Sequence, residues 1–205
     1  MSATPFDPLA KTSLALSILH RMLDKPATPF ASLPDFLGAG IYAIYYSGPF
    51  AAYTPLRVAN ATTAQIPIYI GKADSPGGRQ GVLTGTGAAS KKLCSRIKEH
   101  RRSVIEASNL DVADFSVRWL VVDDIWIPLG ESALIGSYQP LWNTLVDGFG
   151  NHDPGNGRIS GVRSRWDTLH PGRKGRDKYP PRSETAPQIE QDIMSHFIAR
   201  QQTKP

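Results

Sequence analysis

Residues 38–45 read GAGIYAIY, and residues 66–73 read IPIYIGKA. Each holds a tyrosine among β-branched and aromatic residues, the composition that fits a pleated strand. Gly40-Ile41-Tyr42 lies in the first, and Tyr69-Ile70-Gly71 lies in the second. Two strands are therefore predicted, near 40–47 and 66–72. Ser47-Gly48-Pro49 opens the connection between them, which runs to Gln65. A hairpin loop ordinarily has roughly two to five residues, so this connection carries an inserted segment.

Working outward, Leu14, Leu16, Ile18, Leu19, Met22 and Leu23 give residues 12–24 a helical apolar pattern. Pro29 and Pro34 make the next stretch a connector. Residues 74–90, DSPGGRQGVLTGTGAAS, read as a glycine-rich surface loop. No Gly-Lys-Ser/Thr closes it, so it is no phosphate-binding P-loop, although Arg79 could reach a phosphate. Residues 90–108 read as a helix capped by Ser90, with Leu93, Ile97 and Val104 as its buried stripe. Residues 114–122 read as a strand and 129–138 as a helix ended by Pro140. A last helix is predicted over 184–201. This mixture gives an α+β fold of a mainly antiparallel sheet flanked by helices. It divides into an N-terminal helical extension at 1–37, a core at 38–145 and a basic C-terminal extension at 146–205.

The whole chain has 205 residues, 40% of them hydrophobic, enough to bury a core. Its net charge is +5. Residues 158–182 hold eight arginines and lysines against two aspartates, a local +6, so the positive charge concentrates near the C-terminus. That balance suggests a polyanionic partner. Cys94 is the single cysteine, which excludes an internal disulfide and suits a reducing, cytoplasmic setting. No apolar run reaches membrane-spanning length, and no basic region precedes the apolar part of the N-terminus as in a secretory signal.

Arg96 and His100 are four residues apart and share one helix face. An arginine can grip a phosphate with two prongs, and a histidine can move protons near neutral pH. Taken alone, a helix that also carries Lys91, Lys92, Lys98, Arg101 and Arg102 simply has a solvated basic face. Glu131, read in the first turn of its helix, either complements the helix dipole or ligates a hard divalent cation. His152 and His170 lack metal-ligand spacing and read as loop residues or DNA contacts, and Cys94 reads as a small hydrophobe.

The ordered set says more than its parts. Gly-Ile-Tyr, Tyr-Ile-Gly, Arg96-x3-His100, and Glu131-x2-Leu134-Ile135-x4-Pro140-x2-Asn143 follow one another on a strand-strand-helix-strand-helix background. This resembles the GIY-YIG nuclease superfamily over roughly 38–145. The tail Ser160-Gly161-Val162-Arg163-Ser164-Arg165-Trp166-Asp167, then Leu169-His170-Pro171-Gly172-Arg173, resembles the Type II restriction endonucleases of that superfamily. Those reading CCGCGG are the nearest resemblance. The long connection between Tyr42 and Tyr69 departs from the compact pattern.

The resemblance implies metal-dependent hydrolysis of DNA phosphodiesters by Tyr42, Tyr69, Arg96, His100, Glu131 and Asn143. Glu131 would hold one Mg²⁺, which Mn²⁺ could replace. Arg96 would bind the scissile phosphate, and Tyr42 would position or deprotonate the water with His100 as its proton acceptor. Tyr69 would orient the water or phosphate, and Asn143 would hold the site together. DNA contacts fall to Lys72, Arg79, Lys91, Arg158, Arg163, Arg165 and Arg173, as bidentate contacts to guanine or as backbone contacts. A palindromic duplex would be met by a homodimer, with a DNA methyltransferase as functional partner. A repair or homing nuclease, a catalytically dead DNA-binding module and a small-molecule phosphate enzyme are the competing readings.

Overall fold

The computed structural model describes residues 10–75, 90–151 and 161–202. Helix α1 (Lys11–Leu23) leads into a two-residue strand β1 (Thr28–Pro29). Strand β2 (Gly40–Tyr46) is followed by a short helix α2 (Thr54–Ala59), then strand β3 (Pro67–Ala73). Helix α3 (Lys92–Glu106), strand β4 (Phe115–Val121) and helix α4 (Ile127–Tyr138) complete the predicted core. Three further helices follow: α5 (Leu141–Thr144), α6 (Arg165–Leu169) and α7 (Ala186–Gln202). The four strands form an antiparallel sheet in the order β1-β4-β2-β3.

The two tyrosine strands pair with each other, from Gly40 opposite Ala73 to Ile44 opposite Tyr69. A register shift at Ile44/Tyr45 absorbs one extra residue of β3. Strand β2 lies between β3 and β4 and is buried along its whole length. Its side chains alternate as the pleat requires. Tyr42, Ile44 and Tyr46 enter one hydrophobic cluster with Leu93, Ile97, Trp142, Phe149, Trp166 and Ile189. Ile41, Ala43 and Tyr45 enter another with Met22, Ile127 and Leu134. Helices α1 and α4 thus cover one face, while α3 and the C-terminal segments cover the other.

Both motif glycines answer to close approach. A Cβ on Gly40 would strike the Leu120 carbonyl, and one on Gly71 would strike the Tyr42 hydroxyl. The inserted segment holds α2 and closes on a single side chain. The Asn60 amide donates to the carbonyls of Tyr46 and Ile66, both at 2.9 Å. Its oxygen accepts from the N–H groups of Gln65 (2.8 Å) and Ile66 (2.9 Å). One asparagine therefore ties both ends of the tyrosine hairpin together.

Three local expectations change, the first being that Lys91 rather than Ser90 stands at the N-cap of α3. Residues 28–29, read as connector, pair with Ser116 and Val117 of β4. Two residues, one of them a proline, carry too little pattern to read as a strand. Glu131 is not in the first turn of its helix, because α4 starts at Ile127. The dipole reading of that glutamate loses its basis, since the effect fades beyond the first turn.

Candidate active site

The site forms where the two tyrosine strands meet α3. Tyr42 on β2 is fully buried, and its hydroxyl lies 2.6 Å from Nε2 of the buried His100 on α3. The Tyr69 ring sits 6.2 Å from that of Tyr42 and 5.1 Å from that of His100, measured between centroids. Arg96, one turn before His100 on the same helix face, donates to the Gly150 carbonyl at 2.5 Å and to Glu99 at 2.9 Å. The i, i+4 spacing read from the sequence thus brings arginine and histidine to the same two phenols.

Burial holds the Tyr42 hydroxyl well above its ordinary pKa, the neighbouring Tyr69 adds to that, and Arg96 opposes it. Tyr69 is raised by burial, with Arg96 pulling down and Glu131 pushing up. Both phenols are protonated in the resting protein. The Tyr42 hydroxyl and His100 Nε2 share one hydrogen bond, whose direction follows the tautomer of the ring.

Glu131 comes from α4, on the opposite face of the sheet from Tyr42. Ile70 and Lys72 of β3 share that face, because β3 alternates. Lys72 Nζ stands 3.5 Å from the Glu131 carboxylate and 3.9 Å from Asp74. Burial raises the Glu131 carboxyl despite the pull of Lys72. β3 is an edge strand, so the two groups meet around its rim, where the Glu131 charge is felt at Tyr69.

Asn143 acts on the backbone. Its oxygen accepts from the Ile70 N–H and its amide donates to the Ile70 carbonyl, both at 2.8 Å. It occupies both polar groups of an edge-strand residue, standing in for the strand that is missing there. The residue expected to hold the site together fixes the middle of the YIG tripeptide.

The expected DNA contacts separate into groups. Lys72 and Lys91 are partly or fully exposed. Arg79 and Arg158 lie outside the described residues, as does His152. Arg163 is partly exposed and faces Asp177 at 3.9 Å. Arg165 and Arg173 do not lie on an open surface. Arg165 pairs with Asp192 and Glu184 and donates to the Leu145 carbonyl. Arg173 is 6% exposed and forms a two-pronged ion pair with the buried Asp167, both bonds 2.7 Å. A guanidinium held on two sides inside the protein is not presented to a base edge. His170, expected in a loop or on DNA, is fully buried between Tyr53 and Asn109.

Phe149 escaped the sequence reading. Its ring stacks on His100 at 4.5 Å and 22°. It stands between Gly148 and Gly150 in a stretch without periodicity, so its spacing carried no signal. Among the described residues no cluster of three or more metal-ligating side chains occurs.

The model of the Eco29kI GIY-YIG domain matches residues 34–197. The chain belongs to this family. It is a GIY-YIG nuclease domain, which implies DNA as its binding partner. None of the curated proteins matches the chain. Among the described residues no helix is long and apolar enough to cross a membrane.

Proposed function

We propose that this GIY-YIG nuclease is a Type II restriction endonuclease that cuts both strands of a palindromic site by Mg²⁺-dependent hydrolysis, with CCGCGG the first sequence to test. The observation that carries the reading is the 2.6 Å bond between Tyr42 of β2 and His100 of α3, with Arg96 beside it and Glu131 at the rim. Each cleavage requirement has a group: proton removal from water, charge on the phosphate, and a cation near the leaving oxygen.

Tyr42 is too weak an acid to act as a standing phenolate. It works as a relay, passing its proton to His100 Nε2 as its oxygen takes one from water. His100, with Nε2 unprotonated, is then the net acceptor. Arg96 keeps the Gly150 carbonyl and gives up Glu99 to bind a non-bridging oxygen, its charge unchanged at any working pH. Tyr69, partly buried, orients the water or the phosphate.

The donor set fits a hard divalent cation. Mg²⁺ binds protein through one or two carboxylates and fills its remaining positions with waters and phosphate. Glu131 offers one partly open carboxylate, and the Lys72 ammonium already marks that position as one that attracts positive charge. Glu131, with Asp74 nearby, would hold the ion. When bound, the ion would stabilise negative charge on the phosphate and the leaving oxygen. Lys72 would then be free to turn to a phosphate.

A palindromic duplex is met most simply by a two-fold homodimer, each subunit cutting one strand. A methyltransferase that marks the same site would protect the producing cell's DNA, and the cytoplasm is where both would work. The test is digestion of unmethylated phage DNA with Mg²⁺ beside Glu131→Ala, with the ends sequenced. Discrete fragments sharing one palindrome, absent with the variant and with chelator, are expected. Intact DNA bound tightly by both proteins would replace this reading with that of a binding module.

A further inference from the structure

The basic C-terminal segment has a use that its charge alone does not suggest. Between Leu145 and Asn151 the backbone runs past the active site as a strap. Six of its carbonyls accept N–H donors from elsewhere in the chain. Arg165 takes that of Leu145 at 3.0 Å, and the Trp166 N–H takes that of Asp147 at 2.9 Å. Arg173 takes those of Gly148 (2.9 Å) and Phe149 (3.0 Å) through the two nitrogens at the end of its guanidinium. Arg96 takes that of Gly150, and Arg176 that of Asn151 at 2.7 Å. Asp167 fixes Arg173 from the far side and is itself fixed by Ser164 at 2.5 Å.

The strap touches the site at three points. The Phe149 ring stacks on His100, the Gly150 carbonyl holds Arg96, and Gly150 lies so close to Tyr69 that a Cβ would strike its hydroxyl. The chain from Asp167 to Arg173 to the strap to His100 and Arg96 is continuous, with Asp167, Arg173 and His100 buried and Arg96 partly so.

We infer that Arg173, braced by Asp167, is a positioning residue for His100 and Arg96, acting through the Gly148–Gly150 backbone and the Phe149 ring. This rests on the proposed nuclease site. A guanidinium fits the task because its fork bridges two successive carbonyls and a carboxylate together, which a lysine ammonium cannot do in one geometry.

The test compares the parent with Arg173→Lys and Phe149→Leu in the full chain. Two readouts need no cleavage: the ¹⁵N resonances of the His100 ring and the Nε–H resonance of Arg96. Two more use DNA: the single-turnover rate at saturating substrate, and the affinity with its salt dependence. Arg173→Lys is expected to shift both sets of resonances and to slow cleavage by about 10- to 100-fold, with affinity and salt slope kept, as displacement remote from the chemistry does. Phe149→Leu, which keeps apolar bulk without the ring, is expected to move His100 and leave Arg96 in place, and it carries the test if Arg173→Lys fails to fold.

Unchanged resonances with a salt slope reduced by about one would make Arg173 a DNA contact and overturn the inference. A lowered melting temperature with unchanged resonances and rate would reduce it to a stability residue and overturn it equally. Resonances shifted by Arg173→Lys, where the parent itself cuts no DNA, would uphold the positioning role and refute the nuclease reading instead.

Discussion

Among the described residues, two tyrosine–histidine pairs have nearly the same geometry. Tyr42 and His100 Nε2 are 2.6 Å apart, and Tyr53 and His170 Nε2 are 2.7 Å apart. All four side chains are buried. What differs is the company. The Tyr53 hydroxyl also accepts from the Trp142 indole N–H at 2.9 Å, and His170 Nδ1 is bound to Asn109 at 3.0 Å. Burial is the first cause raising Tyr53, and no cation opposes it. Every polar atom of that pair is accounted for, in surroundings that reject charge. Tyr42 instead has Arg96 and Tyr69 beside it, with Glu131 and Lys72 around the rim. A tyrosine–histidine bond is thus no catalytic signature in itself. In the proposed site, a neighbouring cation and an open edge are what set the Tyr42 pair apart.

Removing the hydroxyl from each pair gives the sharpest break between them. Tyr42→Phe should cost about 10³-fold in the single-turnover rate, or about 4 kcal/mol of barrier, with DNA binding kept. Tyr53→Phe should leave the rate nearly alone. Equal losses of rate in the two variants would dissolve the distinction. Next in size, Arg96→Lys keeps the charge but loses the fork, and a loss of about 10²-fold in rate is expected at unchanged affinity. A rate near that of the parent would mean that Arg96 acts only as a point charge.

The same contrast shows what a sequence can reveal. The GIY and YIG strands, the Arg96–His100 helix face and the α+β order were all legible, because period and local spacing encode them. Asn143 was named from its spacing, but its grip on both polar groups of Ile70 was not legible. The arginine-rich tail misled. A window over 158–182 sees +6, but the partners of Arg165 are Glu184 and Asp192, beyond that window on or before α7. His170 looked like a loop histidine because its burial depends on Tyr53, Asn109 and Trp142, which lie more than sixty residues or about thirty residues away in the chain and come together only through the tertiary fold. Phe149 was invisible for the same reason.

Stability separates the pairs in the opposite sense. Tyr53→Phe strands the Trp142 N–H and His170 Nε2 inside the core. Unfolding free energy should fall by about 2 kcal/mol, the typical penalty for buried polar groups left without partners. Urea melts at pH 8 would read it. A change within the scatter of the melts would mean that water replaces the hydroxyl and that the cluster is less sealed than its burial implies.

The smallest effect is a dependence on pH. Burial depresses the His170 pKa from 6.5 to about 3. The unfolded chain then binds a proton below pH 6.5 that the folded chain refuses until about pH 3. The contribution of this group to stability is therefore full above 6.5 and declines as pH falls towards 3. One unit below the unfolded value, at pH 5.5, about 1.4 kcal/mol should be gone. His170→Gln cannot titrate, so the stability difference between parent and variant should shrink by that amount from pH 8 to pH 5.5. Parallel pH profiles would mean that His170 takes up its proton while folded, as a group open to solvent would. The Tyr53 pair would then lose the seal that sets it apart from the Tyr42 pair.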